Sequence, residues 1–320
     1  MLIKDLIERF NTAANTAFNK GYQELEPGLK DLSYDFMSGD VSSVDFPIVR
    51  IMSKIKKFLG NRIHNSPADS FLVTIRNEEF DGSVDIPRRD LKRAMAVNSI
   101  TGLDMFVKDV ESLGKEAKDL PYEDVLDMIE AGHLSTYGTT FDGQNMFDTT
   151  HAFENVAGTQ SNILTGTGST VALATADLNK AISALRGFYY SMDVDGGNSK
   201  KRKLNKTMKL KIICPDQLVQ IFETINKAEY LNNETNTLKG MVSEVIGRPF
   251  TDLNDWYLFE VSESNVKPFI ISMEEVAKLE MPEASDFQLR EHKVLTWGLE
   301  GFSYGKGYGA WWKAVKTTNS

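Results

Sequence analysis

Residues 71–90 read "FLVTIRNEEFDGSVDIPRRD", and no other stretch of the chain limits its fold as much. Phe71, Val73 and Ile75 alternate with Leu72, Thr74 and Arg76, the period-two pattern of a strand. An Asp81-Gly82 turn signal follows, and a second β-rich piece ends at Ile86. After Pro87 the period changes. Leu103, Phe106, Val107, Val110 and Leu113 fall on one helical stripe, with Asp104, Lys108, Asp109, Glu111 and Lys115 facing away. The spacing therefore predicts an extended, partly exposed β-arm that feeds a long amphipathic helix. Such an arm is poorly supported in an isolated molecule, because exposed strand edges seek partners.

The rest of the chain reads as a mixture of helix and strand. Leu2, Ile3, Leu6, Ile7, Phe10 and Phe18 predict an N-terminal amphipathic helix over 2–19. Pro121 lies in "LPYEDVLDMIEAGH", where it kinks or restarts the long helix, and Gly132 is placed to end it. Residues 133–175 are rich in Gly, Ser, Thr and Asn and read as loop and short strand. A helix follows with Thr175 as its cap and Leu178, Ile182 and Leu185 on its buried face. Then come a buried strand at "MKLKIICP", a helix after Pro215, and strands near "WYLFEV" and "KPFIIS". The "GKGYG" near the end reads as a glycine-permitted turn between aromatic-rich strands rather than a nucleotide loop. "TGTGST" reads as a flexible loop, lacking the lysine and the strand-to-helix setting of a phosphate cradle.

Composition narrows the function. A chain of 320 residues with 41% hydrophobic and 25% charged residues fits one large or two modest soluble domains. The first residues lack the apolar core of a signal peptide, and nowhere do about 18 apolar residues run together. Neither export nor a membrane span is expected. The single Cys214 lies in an apolar run, which excludes disulfides and cysteine zinc sites and suits a reducing compartment. A formal charge of −9 argues against a dedicated nucleic-acid binder. The exception is "KKRKLNKTMKLK" at 200–211, which reads as a solvated hairpin turn.

Positive evidence for catalysis is thin. His64, His133, His151 and His292 are scattered without a zinc spacing, and no G-x-S-x-G elbow occurs. One loop concentrates candidates: "GTTFDGQNMFDTTH" holds Asp142, Asp148 and His151. Two carboxylates are few for a hard cation, which takes about 6 or more oxygen ligands. The structural reading is a turn at Asp142-Gly143, with Phe141, Met146 and Phe147 buried and Asp148, Thr149 and Thr150 bonding local amides.

At that loop the sequence resembles a known family. "GHLSTYGTTFDGQNMFDTTH" is similar to a segment of Mu-like phage major head subunits, the protein T family, with "DTTH" where the family has D-T-D-H. "TIRNEEFDGSVDIPRRDL", "PDQLVQIFETINKAEYLNNETNTLKGMVSEVIGRP", and "DWYLFEVSESNVKPFIIS" with "GYGAWWKAV" resemble further family blocks in the same order. The resemblance implies an α+β capsid fold of the Hong Kong 97 type. Its expected divisions are an N-terminal arm (1–50), an extended β-hairpin loop (51–90), a peripheral domain with the spine helix (91–132), an axial domain (133–270) and a return to the peripheral domain (271–320).

The function implied is that of a major capsid protein of a tailed phage or prophage. Such a protein is not an enzyme, needs no cofactor or metal, and assembles as hexamers and pentamers of an icosahedral shell around double-stranded DNA. Partners on this reading are other copies, a separate scaffolding protein and a portal. DNA is enclosed without sequence-specific binding, no membrane is involved, and assembly takes place in the bacterial host cytoplasm before the protein resides in the virion. For contacts between subunits the candidates are Phe71, Val73 and Ile75 as apolar groups and Arg76, Glu78, Arg88 and Arg89 as charges. Two alternatives stand beside it: the shell protein of a capsid-derived nanocompartment, and a metal-dependent hydrolase using Asp142, Asp148 and His151.

Overall fold

A computed structural model describes residues 3–23, 28–49, 71–96, 103–152, 158–188, 209–231, 234–262, 266–281 and 294–319. The predicted N-terminal helix is α1 (Ile3–Gln23), and its apolar stripe of Leu6, Ile7, Phe10, Ala14 and Phe18 is buried. It lies along the long helix α3 (Asp104–Glu130), which is preceded by the short α2 (Arg88–Ala96). The two helix backbones meet closely where a Cβ on Gly114 would collide with the Phe18 carbonyl, so glycine sets their separation. Trp297 donates from Nε1 to Asn11 Oδ1 (2.8 Å) and meets Phe10 edge-on, fixing α1 to the sheets as well. Helix α1 is thus part of the core. α3 passes through Pro121 without ending. The proline ring is buried, and neighbouring Tyr122 donates to Asp35 Oδ2 (2.7 Å), so tertiary contacts outweigh the lost backbone bond.

In chain order the strands are β1 (Ser33–Met37), β2 (Ser43–Val49), β3 (Phe71–Glu79), β4 (Ser83–Pro87), β5 (Ile163–Thr165), β6 (Leu210–Pro215), β7 (Tyr230–Leu231), β8 (Glu234–Thr235), β9 (Val242–Arg248), β10 (Trp256–Glu260), β11 (Phe269–Glu275), β12 (Lys278–Glu280), β13 (Val294–Glu300), β14 (Ser303–Tyr308) and β15 (Ala314–Thr318). Two five-stranded sheets dominate, ordered β1-β11-β14-β3-β2 and β5-β15-β10-β6-β9. A three-stranded sheet, β12-β13-β4, and the β7-β8 hairpin complete the set. α4 (Val171–Gly187) and α5 (Asp216–Lys227) pack with the second large sheet. Its strands β6 and β10 are buried at every position, and apart from Lys211 and Glu260 both read as apolar runs.

Several sequence expectations are revised. β3 and β4 do not form a hairpin with each other. β3 pairs with β2 and β14, whereas β4 pairs with β13, because Phe80 donates its N–H to Phe302 O and stacks on Tyr304, turning the Asp81-Gly82 step into a crossover between sheets. The antiparallel ribbon is β2–β3 instead, running out to Val49↔Phe71. α4 begins at Val171 with Thr170 as its cap, five residues before the expected Thr175. β5 and α4 therefore do flank "TGTGST", but the loop is occupied by its own helix: Asp177 accepts from Thr167 N (2.6 Å) and Thr167 Oγ1. Residues 305–308 of "GKGYG" lie in strand β14 rather than in a turn. The last fifty residues divide between the sheets, β14 joining the first and β15 the second.

Candidate functional site

The loop that attracted attention in the sequence is a clasp. Asp142 accepts from His151 Nδ1 (2.9 Å), Gln144 N (3.3 Å), Ala152 N (3.2 Å) and the Thr140 hydroxyl. His151 is 0% exposed and its ring lies flat on Trp311, with centroids 4.2 Å apart and planes 7° from parallel. Burial pushes the Asp142 carboxyl up, but the bonds from His151, Thr140 and Gln144 outweigh it and hold it below the ordinary carboxylate range. Asp148 is turned elsewhere, accepting from Thr150 N (2.9 Å) and Oγ1 (2.7 Å). Buried Asn162 secures the loop further: its side chain donates to Met146 O (2.7 Å) and Trp311 O, and accepts from Asp148 N (2.9 Å). Among the described residues no group of three or more His, Cys, Asp or Glu is disposed to hold a metal. Asp142 and Asp148 serve separate turns, so the three residues of the metal-hydrolase alternative are not gathered into one ligand set. Sequence reasoning missed Asn162; a lone polar residue between turn residues gives no local sign of burial.

The β2–β3 ribbon presents the surface candidates. Val73 (8% exposed) and Ile75 (1%) point into the chain's own core, where Ile75 lies over β14. A Cβ on Gly305 would come within 2.5 Å of Arg76 O and 2.7 Å of Ile75 Cγ2, and one on Gly307 within 3.0 Å of Ile75 Cγ1. The glycines that suggested a turn instead give β3 a flat seat. The alternation was read correctly, but its apolar face is the inner one. Leu72, 52% exposed, and Thr74 and Arg76 face outward. Phe71 pairs with Val49 at the ribbon's far end, and its side chain falls outside the described residues. Glu78 and Arg89 are exposed and Arg88 is half-buried at the start of α2; Arg89 Nε is 3.7 Å from Asp90.

A cleft of about 430 Å³ opens where β3 peels away from β14. Leu72, Thr74, Tyr137, Phe141, Lys306 and Tyr308 contribute to its walls. Lys306 reaches Asp124 Oδ2 (2.7 Å) and lies over the Tyr137 ring (4.9 Å). Burial raises the Asp127 carboxyl, and the neighbouring charge of Asp124 raises it further, against the opposing pull of Lys306. The same two aspartates add to burial in raising Tyr137.

The basic run at 200–211 ends differently from its reading. Residues 200–208 lie outside the described residues, but Lys211 is only 2% exposed in β6. Its ammonium donates to Gly28 O and pairs with Glu244 (2.9 Å) and Asp31 (3.4 Å). The apolar neighbours in "KLKIICP" were the available sign that this lysine belongs to a buried strand.

A sequence profile of the Mu-like prophage major head subunit gpT matches residues 7–185. No curated protein matches the sequence at a significant level. Among solved structures, the chain is similar to the procapsid of bacteriophage JBD30: 16% identity, 99% of this chain and 76% of that chain covered, TM-score 0.55. It is also similar to the capsid of the cyanophage P-SCSP1u, at 14% identity over 93% of this chain and 91% of that chain, with a TM-score of 0.50.

Proposed function

The chain belongs to the family of the Mu-like prophage major head subunit gpT, and from that premise we propose how its surfaces build a shell. It is a major capsid protein of a tailed phage, structural rather than catalytic, with the mixed helix-and-sheet capsid fold. Identical copies close into hexamers and pentamers through head-to-tail contacts, and these tile an icosahedral shell in which each weak contact is repeated many times. A scaffolding protein and a portal take part during assembly in the bacterial host cytoplasm. The shell encloses double-stranded DNA without reading its sequence, which a formal charge of −9 suits, since an acidic lining does not grip phosphates.

The observation that carries this reading is the β2–β3 ribbon. It leaves the body of the first sheet with Leu72, Thr74 and Arg76 turned outward, a strand pair that neighbours in a shell would cover. Val73 and Ile75 act indirectly on this reading, by fixing the ribbon's angle. Arg76, Glu78, Arg88 and Arg89 supply charge pairs to adjacent copies. Electron microscopy of the expressed protein tests the whole: closed shells are expected, and a monomer at every concentration and with scaffolding protein present refutes it. Charge reversal at Arg88 and Arg89 is expected to lower shell yield; unchanged yield removes those two from the contact.

A further inference from the structure

The sequence holds three Asp-Gly steps, Asp81-Gly82, Asp142-Gly143 and Asp195-Gly196, of which the last lies outside the described residues. At such a step the aspartate carboxyl carbon is open to attack by its own chain, because glycine puts no Cβ beside the following nitrogen and lets the backbone turn toward it. The fold treats the two described steps in opposite ways. At Asp142-Gly143 both reacting groups are engaged. The carboxylate accepts from His151, Gln144, Ala152 and Thr140, and the Gly143 N–H donates to Thr140 O (2.9 Å). Bringing that nitrogen onto Asp142 Cγ requires breaking bonds of the clasp.

At Asp81-Gly82 neither group is engaged. Asp81 is exposed, and among the described residues no hydrogen bond or ion pair reaches its carboxylate or the Gly82 N–H. The β4–β13 ladder ends there on one side only: Gly82 O accepts from Leu299 N (2.9 Å), with no return bond from Gly82 N. Phe80 is pinned from the other direction, by its N–H on Phe302 O (2.8 Å) and its stack on Tyr304. The Asp81-Gly82 peptide unit is therefore an unpaired link between two anchored ends. We propose that this step is a site of spontaneous aspartate isomerisation, with water as the only co-reactant and isoaspartate at position 81 as the product. Gly82 N bonds to Asp81 Cγ while the Cγ–OH bond of the protonated carboxyl breaks, and the amide proton and the hydroxyl leave as water. A water molecule then opens the succinimide ring. Opening at Cγ restores aspartate; opening at the Asp81 backbone carbonyl carbon leaves isoaspartate, with the chain running through Cβ and Cγ. No oxidant takes part and the charge is conserved. The product lengthens the backbone by a methylene where the chain leaves the first sheet for the three-stranded one, so the change falls on the first pairs of β4.

Ageing the full chain in heavy-oxygen water at mildly acidic pH reads every ring opening, since each puts a heavy oxygen into residue 81 whichever product forms. Peptide mass spectrometry is expected to find heavy oxygen and isoaspartate accumulating at Asp81 about tenfold or more faster than at Asp142, tenfold being the factor that breaking one charge-assisted hydrogen bond imposes. Equal rates at the two steps overturn the proposal. So does an Asp81 that takes up no heavy oxygen while an unfolded peptide of residues 76–86 converts. Asp81→Glu keeps the charge, cannot close the succinimide ring and removes no bond that the fold uses, so it serves as the control. Gly82 is left in place, because a Cβ there would press on Leu113 Cδ1 (2.8 Å). The Ser83–Asp85 amides of aged wild type are expected to exchange several-fold faster than those of fresh protein, whereas aged Asp81→Glu matches its fresh form. Exchange that is unchanged in converted wild type, or that rises equally in the control, overturns the effect assigned to the joint.

Discussion

At the scale of single residues, the Asp142 carboxylate does the work that a metal ion or a disulfide does in other loops. It gathers four donors from residues 140–152 and turns His151 onto Trp311. Replacing Asp142 by Asn keeps the shape but removes the charge that His151 and the backbone amides were arranged to meet, and leaves a buried imidazole with a poorer partner. A loss of about 2–4 kcal/mol at neutral pH is expected, measured by urea unfolding. The pH dependence has a definite sign. Because the folded carboxyl sits below its ordinary value, its contribution is fully present above the unfolded pKa of about 4 and is lost as the pH falls through the folded one. The stability gap between wild type and Asp142→Asn is therefore expected to narrow on acidification below that range. A gap that stays constant down to pH 2 or so would mean that the charge of Asp142 is not what holds the clasp.

At the scale of elements, what was legible in the sequence was whatever is local. The stripes of α1 and α3 repeat every three to four residues, and β6 and β10 are apolar apart from Lys211 and Glu260, so their existence and buried faces could be read directly. Pairing is not local. Nothing near Asn77 announces that Gly305 lies opposite it, and the turn chemistry of Asp81-Gly82 pointed to the neighbouring strand instead. The same limit hid which side of the ribbon is inner, since alternation gives two faces without saying which is covered. Gly305 is where that long-range choice is enforced. An alanine there would press its methyl against Arg76 O and Ile75, so Gly305→Ala is expected to cost about 1–3 kcal/mol. The loss should be uneven: the Glu78 amide, at the β3–β14 junction, exchanges faster while α4 and α5 keep their protection. Uniform loosening across the molecule would show instead that β14 supports the core as a whole and not the ribbon in particular.

At the scale of the whole molecule, the two large sheets are linked by the chain's passages from β10 to β11 and from β14 to β15, by the contact of the Phe259 and Phe269 rings, and, through the connector before β1, by the buried ammonium of Lys211. Lys211 reaches from β6 in the second sheet to Gly28 and Asp31, in the connector that leads into β1 of the first. Its burial costs desolvation that three acceptors offset, so the net stabilisation is small, and its consequence is geometric: it fixes where the connector lies against the second sheet. Lys211→Met separates these roles. Asp31 and Glu244 have side chains 62% and 47% exposed and rehydrate readily, while methionine fills the space left by the stem, so unfolding free energy should stay within about 1 kcal/mol of wild type. Exchange at Leu29–Ser33 should nevertheless accelerate, because Gly28 and Asp31 have lost their tether, with β6 and β10 unaffected. In a shell every copy repeats the same angle between its sheets, so a joint loosened in each subunit spreads over many contacts. The variant is therefore expected to give a broader distribution of particle sizes by electron microscopy at unchanged subunit stability. Connector exchange as slow as in wild type would show that the β1–β11 pairing alone positions residues 28–33, and that the buried lysine is only a tolerated charge.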